Sequence, residues 1–285
     1  MRKILALSAL MAVAFAAAPK RIVSVAPSVT EILYGIGAFG RVVAVTDYCT
    51  YPPQAKLLPK VGGWATPNLE RIASFRPDLV VLSDAQIPFL EMPLAKLGIR
   101  TAIARSQTVA DAFTAIRTLG RATGNDRQAA QLAARVKTAL DAVQKRAAGL
   151  PHPTVLCIID RTPGTLRDLY AVTEGSFLHE LIGIAGGKAE GGSSPLGYGQ
   201  ISKEAVVTMN PDVILDIEPD SQTTAGAHPE AAWQDLPEIN AVRHGRVYIV
   251  REEFVPHDSQ MIAKTALVFA RLLHPEIPAK EWEPR

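Results

Sequence analysis

Cysteine is scarce in this 285-residue chain, which has only Cys49 and Cys157. That rules out a disulfide-built scaffold and a cysteine-rich metal centre. An oxidising compartment would permit a bond between the two. However, Cys157 lies in the apolar run Val155-Leu156-Cys157-Ile158-Ile159 and reads as a buried strand residue, while Cys49 falls in a polar loop. The six histidines are scattered, without metal spacing. His179-Glu180-Leu181-Ile182-Gly183 starts like a zinc-protease helix but has Gly where the second His must stand. There is no Gly-x-Ser-x-Gly elbow and no P-loop. Gly35-Ile36-Gly37-Ala38-Phe39-Gly40 matches the dinucleotide fingerprint in letters only. Its glycines close a helix, whereas phosphate binding requires them to open one. Charge of one sign is lacking as well. The formal charge is +2 and no basic stripe stands out, so nucleic acid is not an expected partner.

Long apolar runs are absent after the first residues. Arg2 and Lys3 precede a nearly unbroken apolar stretch from Ile4 to Ala17, the pattern of a secretory signal peptide over residues 1–18, cut near Ala16, Ala17 or Ala18. The run is well short of the ~20 residues that span a bilayer. No cysteine near the cut invites a lipid. Removing the leader takes the formal charge to about zero, and a mature protein soluble in the periplasm is expected.

Beyond the leader the chain alternates strand and helix, the signature of an α/β fold with mainly parallel sheets. Strands are expected at 22–26, 42–46, 79–82, 99–104 and 154–159. Helices are expected at 28–36, 69–75 and 89–97, and another starts at Thr108. A longer helix from Asp126 to Ala147 carries Ala129, Leu132, Val136, Leu140 and Val143 on one face until Gly149 and Pro151 stop it.

The chain also repeats itself. Asn68-Leu69-Glu70-Arg71-Ile72 runs through Pro77-Asp78 into Leu79-Val80-Val81-Leu82, and Ser202-Lys203-Glu204-Ala205-Val206 runs through Pro211-Asp212 into Val213-Ile214-Leu215. Each unit has a capping residue, a first-turn Glu and a Pro-Asp stop before an apolar strand. Two similarly built lobes are implied, at 19–124 and 151–285, with residues 125–150 between them. Aromatics make up only 6% of the chain, yet Tyr48, Trp64 and Tyr198 fall in loops and Tyr170 near a strand start. Ligands of open α/β sheets bind where such loops gather, and ring faces there stack on flat ligands.

Several strings resemble the substrate-binding proteins of cobalamin, haem and ferric-siderophore ABC importers. They are Arg21-Ile22-Val23-Ser24, Pro27-Ser28-Val29-Thr30-Glu31, Tyr51-Pro52-Pro53-Gln54-Ala55, Trp64 ahead of Asn68-Leu69-Glu70-Arg71-Ile72, and Pro77-Asp78-Leu79-Val80. The Tyr-Pro-Pro-Gln-Ala string with the following Trp looks most like the cobalamin branch. The resemblance implies two Rossmann-like α/β lobes joined by a single long backbone helix, with the ligand in the cleft between them.

It further implies that Tyr48 and Trp64 match aromatics packing on a corrinoid. Tyr170 falls where the family has Phe, and Tyr198 where it has Trp. Glu70 and Glu204 match a pair of glutamates that dock onto arginines of the membrane permease. The family's disulfide positions are unmatched. Where the cobalamin branch carries an Arg, this chain has His257-Asp258-Ser259-Gln260-Met261. His257 is left as a polar contact, an axial ligand to a metal macrocycle, or a surface histidine. The leading expectation is a monomeric corrinoid receptor that uses no cofactor and is not an enzyme. Its rivals are a haem or ferric-siderophore receptor, a sensor reporting to a membrane receptor, and a periplasmic α/β enzyme.

Overall fold

The computed structural model describes residues 18–219 and 228–282. The leader expected over residues 1–18 falls, apart from Ala18, outside them.

The first sheet is parallel throughout. Its strands are β1 (Ile22–Ser24), β2 (Val42–Val45), β3 (Leu79–Ser83) and β4 (Thr101–Ala104), in the order β2-β1-β3-β4. Every residue of β3 is buried, as its unbroken apolar run requires of a strand covered on both faces. The helices α1 (Pro27–Gly35), α2 (Leu69–Ser74) and α3 (Ile87–Lys96) connect these strands.

Two helices then carry the chain onward. In α4 (Val109–Thr123), Thr108 and Asp111 form a capping box, and Gly124 ends the helix in the left-handed region at φ 71°. The 22-residue α5 (Asp126–Ala147) starts and ends at the residues its periodicity indicates, and buries Ala129, Leu132, Val136, Leu140, Val143 and Ala147. A helix of that length spans ~33 Å. It packs on α4 closely enough that a Cβ on Gly120 would meet the Ala129 methyl at 2.5 Å, so only glycine fits there.

The second sheet is mixed. It contains β5 (Thr154–Asp160), β6 (Leu169–Val172), β7 (Lys188–Glu190), β8 (Tyr198–Ile201), β9 (Val213–Ile217) and β10 (Val247–Val250), ordered β10-β9-β5-β6-β8. β7 runs parallel to the start of β5, and β6 is antiparallel to its end. The helices are α6 (Phe177–Ile184), α7 (Lys203–Met209), α8 (Asn240–Arg243) and α9 (Ile262–Leu273), with α9 packed on α5 and α6. One apolar cluster, including Ile32, Leu119, Leu140, Cys157 and Phe269, runs from the first sheet past α5 to the second. Cys49 and Cys157 are both buried and unpaired, and burial raises both thiol pKa values.

The sequence repeat is a structural repeat. The Asn68 side chain accepts the Arg71 N–H and the Ser202 hydroxyl accepts that of Ala205, so both short helices are capped as their sequences indicate. Arg76 and Asn210, each just ahead of the Pro-Asp pair, adopt the same left-handed φ of 45°.

Candidate functional site

A cleft of about 750 Å³ opens where the strand ends of the two sheets face each other. Its first wall comes from residues that follow strands of the parallel sheet: Ala26 to Ser28 after β1, Tyr48 after β2, Ser83 closing β3 and Ser106 after β4, with Trp64 beside them. The opposite wall carries Ile159 near the end of β5, Val172 at the end of β6, Phe177 opening α6, and Tyr198. Pro256, His257 and Asp258 complete the lining. Carboxyl ends of parallel strands leave backbone groups and loop side chains free for a ligand, which is why α/β sheets bind there.

Four of the five aromatic and imidazole side chains singled out in the sequence thus line one space: Tyr48, Trp64, Tyr198 and His257. Tyr198 departs from the sequence reading in one respect, since it begins strand β8 where a loop was expected. Tyr170 pairs with Gln200, and Val172 with Tyr198. Tyr170 therefore shares the sheet face of Val172 and Tyr198 but lies beyond the cleft lining, 37% exposed. Glu70 and Glu204 are not part of this lining and stand exposed in the first turns of α2 and α7.

Trp64 is held from behind. Gln86 is fully buried and donates from Nε2 to the carbonyl oxygens of Val25 and Trp64, each at 2.8 Å. Its own Oε1 accepts the Ser83 N–H at 3.1 Å, so one side chain ties the Trp64 loop to the ends of β1 and β3. The Trp64 ring meets Phe89 edge to face at 6.4 Å. Gln86 escaped the sequence reading, although Ser83-x-x-Gln86 is a legible capping-box signature.

At the base of the cleft the C-terminal half returns to the first lobe. His257 Nδ1 lies 2.8 Å from Glu31 Oε1, on α1. The Ser259 hydroxyl donates to the other carboxylate oxygen, and Gln260 Nε2 donates to the Glu31 carbonyl at 2.8 Å. Burial works against a charge on His257. The Glu31 carboxylate, by its charge and its hydrogen bond, outweighs that with help from Asp258 and Glu253, and the imidazole pKa is raised. Asp258 is buried too, and desolvation pushes its carboxyl up to about 7 against an opposing hydrogen bond from Ser28. A second tie joins the lobes at Gln107, whose carbonyl accepts the Phe177 N–H and whose side chain donates to the Pro195 carbonyl.

No lysine or arginine among the described residues lines the cleft. Ser28, Ser83, Ser106, Gln107 and Ser176 add hydroxyls and an amide among aromatic and aliphatic side chains. No three His, Cys, Asp or Glu side chains among the described residues are placed to hold a metal ion. Such a space, between two lobes and walled by rings, has the size and lining that suit a small-molecule ligand.

The chain belongs to the periplasmic binding protein family, whose profile matches residues 22–254. It is a substrate-binding protein of the ABC-importer type, and not an enzyme. It is similar to the uncharacterized ABC transporter substrate-binding lipoprotein YvrC of Bacillus subtilis, at 29% identity over 265 residues, covering 90% of this chain and 81% of that protein. It is also similar to the vitamin B12-binding protein of Vibrio cholerae, at 28% identity over 237 residues, covering 83% and 82%. The crystal structure of the periplasmic haem-binding protein HutB of Vibrio cholerae superposes with a TM-score of 0.77 at 23% identity, covering 90% of this chain and 99% of that one. At that identity the likeness establishes the fold alone.

Proposed function

We propose that this protein captures a corrinoid in the periplasm and delivers it to the permease of an ABC importer. The carrying observation is the lining of the cleft, with rings on both walls, hydroxyls and an amide between them, and no lysine or arginine among the described residues. Haem presents carboxylates, and many ferric siderophores are anionic. Enclosing such charges without a counter-ion costs several kcal/mol. A corrinoid carries neutral amides around a broad, partly apolar ring. Each ~100 Å² of apolar ligand face covered contributes about 2.5 kcal/mol before ordering costs. The similarity to a protein named for vitamin B12 points the same way.

Tyr48 and Trp64 on one wall and Tyr198 on the other are the stacking contacts in this reading, with Tyr170 at the outer rim. Glu70 and Glu204, exposed on matching helices of the two lobes, offer one carboxylate each to arginines of the permease. Export through the N-terminal leader belongs to the same proposal. Equilibrium dialysis of the purified protein against cyanocobalamin tests it. Retention with a dissociation constant of about 1 μM or tighter supports it, and no retention at that scale rejects it.

A further inference from the structure

We propose that Lys60 positions Tyr48 for the ligand, its ammonium tying together the loop that carries the ring. This rests on the corrinoid reading, in which Tyr48 is a stacking contact, and adds to it a residue outside the cleft lining. Lys60 Nζ donates to three backbone carbonyl oxygens, those of Thr46 at 3.4 Å, Cys49 at 3.3 Å and Ala55 at 3.2 Å. An ammonium has three N–H donors and no acceptor, so these carbonyls match its full donor set. Thr46 and Cys49 bracket Tyr48, and the Cys49 N–H closes that turn onto the Thr46 carbonyl at 3.2 Å. Ala55 belongs to the short helical turn Pro53–Leu57. One half-buried side chain therefore joins the start of the loop after β2 to its far end.

The backbone of Lys60 is fixed apart from its side chain. It forms a parallel bridge with Val45, whose N–H donates to the Pro59 carbonyl at 3.0 Å and whose carbonyl accepts the Val61 N–H at 2.9 Å. The ammonium thus reaches into the loop from the edge of the first sheet, where β2 lies. Tyr48 has little else to direct it. It is 48% exposed, and its ring passes beside Gly63, which offers no side chain to hold it. A ring so exposed takes its direction from its backbone. Cys49 Sγ, bonded to the Thr30 hydroxyl at 3.2 Å, anchors one end of the turn to α1. Lys60 is the side chain that holds both ends. Charged donors make the stronger hydrogen bonds, and a contact held in place before binding spares the cost of ordering it.

The test is a double-mutant cycle on the purified protein, read by equilibrium dialysis against cyanocobalamin. Lys60→Met keeps the stem and removes the ammonium, and should raise the dissociation constant roughly tenfold. In a Tyr48→Ala background the same substitution should change it by less than about twofold, whereas in Trp64→Ala the roughly tenfold loss should persist. Undiminished affinity in Lys60→Met overturns the proposal. So does an equal loss with and without the Tyr48 ring, which is what a general weakening of the fold would give. Lys60→Gln keeps two amide donors for the carbonyls and runs the same cycle where Lys60→Met does not fold, with an expected loss of about threefold that vanishes without Tyr48.

A readout without ligand separates this from the corrinoid reading. In protein labelled with 13C at tyrosine, Lys60→Met or Lys60→Gln should shift and broaden the Tyr48 ring signal, assigned through Tyr48→Phe. The signal of Tyr248, on β10 of the second sheet, should stay as it is. Wild-type protein that fails to retain cyanocobalamin ends the corrinoid reading, and the ring signal then decides alone. A Tyr48 signal that does not move, or one that moves together with that of Tyr248, overturns the positioning role.

Discussion

Asp78 and Asp212 make the same clamp in opposite lobes. The Asp78 carboxylate accepts the backbone N–H groups of Lys20 and Arg21 at 2.7 and 3.0 Å, just ahead of β1. That of Asp212 accepts the Thr154 N–H at 3.0 Å and its hydroxyl at 2.9 Å, at the start of β5. Each Asp backbone N–H returns a bond to the segment it clamps, to the carbonyl of Arg21 in one lobe and of Thr154 in the other. The Pro-Asp pair thus does more than turn the chain: it sets the end of the adjoining strand.

Replacing Asp212 by Ala should cost about 1–2 kcal/mol in urea unfolding, and the more exposed Asp78 less. Hydrogen bonds from Thr154 lower the Asp212 pKa. At Asp78 burial pulls upward, and the bonds from Lys20 and Arg21 outweigh it. Lowered carboxylates contribute fully above the unfolded value of ~3.9 and lose that contribution as pH falls through their lower native values. The gap between wild type and variant should therefore close in acid. A gap that widens there would contradict the clamp.

Gln86 is expected to matter for binding without touching the ligand. Gln86→Leu leaves the Val25 and Trp64 carbonyls without their donor, at about 1–3 kcal/mol of stability. It should also weaken corrinoid affinity by roughly tenfold through a loosened Trp64. Thermal melting and dialysis separate the two effects, and full affinity in the variant would show that Trp64 needs no such support.

The Glu31–His257 pair gives stability a particular pH dependence. The His257 pKa is raised, so its contribution is complete below the unfolded value of ~6.5 and is lost as pH rises through the higher native value. Glu31→Ala should cost about 3 kcal/mol or more near pH 6, because it strands a buried partner. It should cost less near pH 9. Equal losses at both pH values would show that the imidazole is uncharged throughout.

Much of the fold is legible in the residues. The 22-residue α5 follows from apolar spacing on one face and stop signals after it, and the two lobes follow from the Asn68 and Ser202 repeats. Such signals are local, and local chemistry determines caps and periodicity. The strand at Tyr198 is hidden because Gly197 and Gly199 on either side mask it. Glu31 is not legible as a site residue because its partners His257 and Ser259 lie 226 and 228 positions away. Only folding brings them together, and no spacing rule reaches that far.

Charge reversal at Glu70 and Glu204 should abolish import into cells while leaving dialysis binding unchanged. Both groups are solvent-exposed, and neither lines the cleft. Normal uptake by the double variant would place the permease contact elsewhere.

The most direct measurement is fluorescence quenching, because the chain's other two tryptophans, Trp233 and Trp282, are buried and only Trp64 faces the cleft. Hydroxocobalamin, hemin and a ferric siderophore are titrated in turn into wild type and Trp64→Phe. The expected result is saturable quenching by hydroxocobalamin, tighter than by the other two and largely lost in the variant. Saturable quenching by hemin alone, or quenching by hydroxocobalamin that is undiminished without Trp64, would contradict the corrinoid cleft.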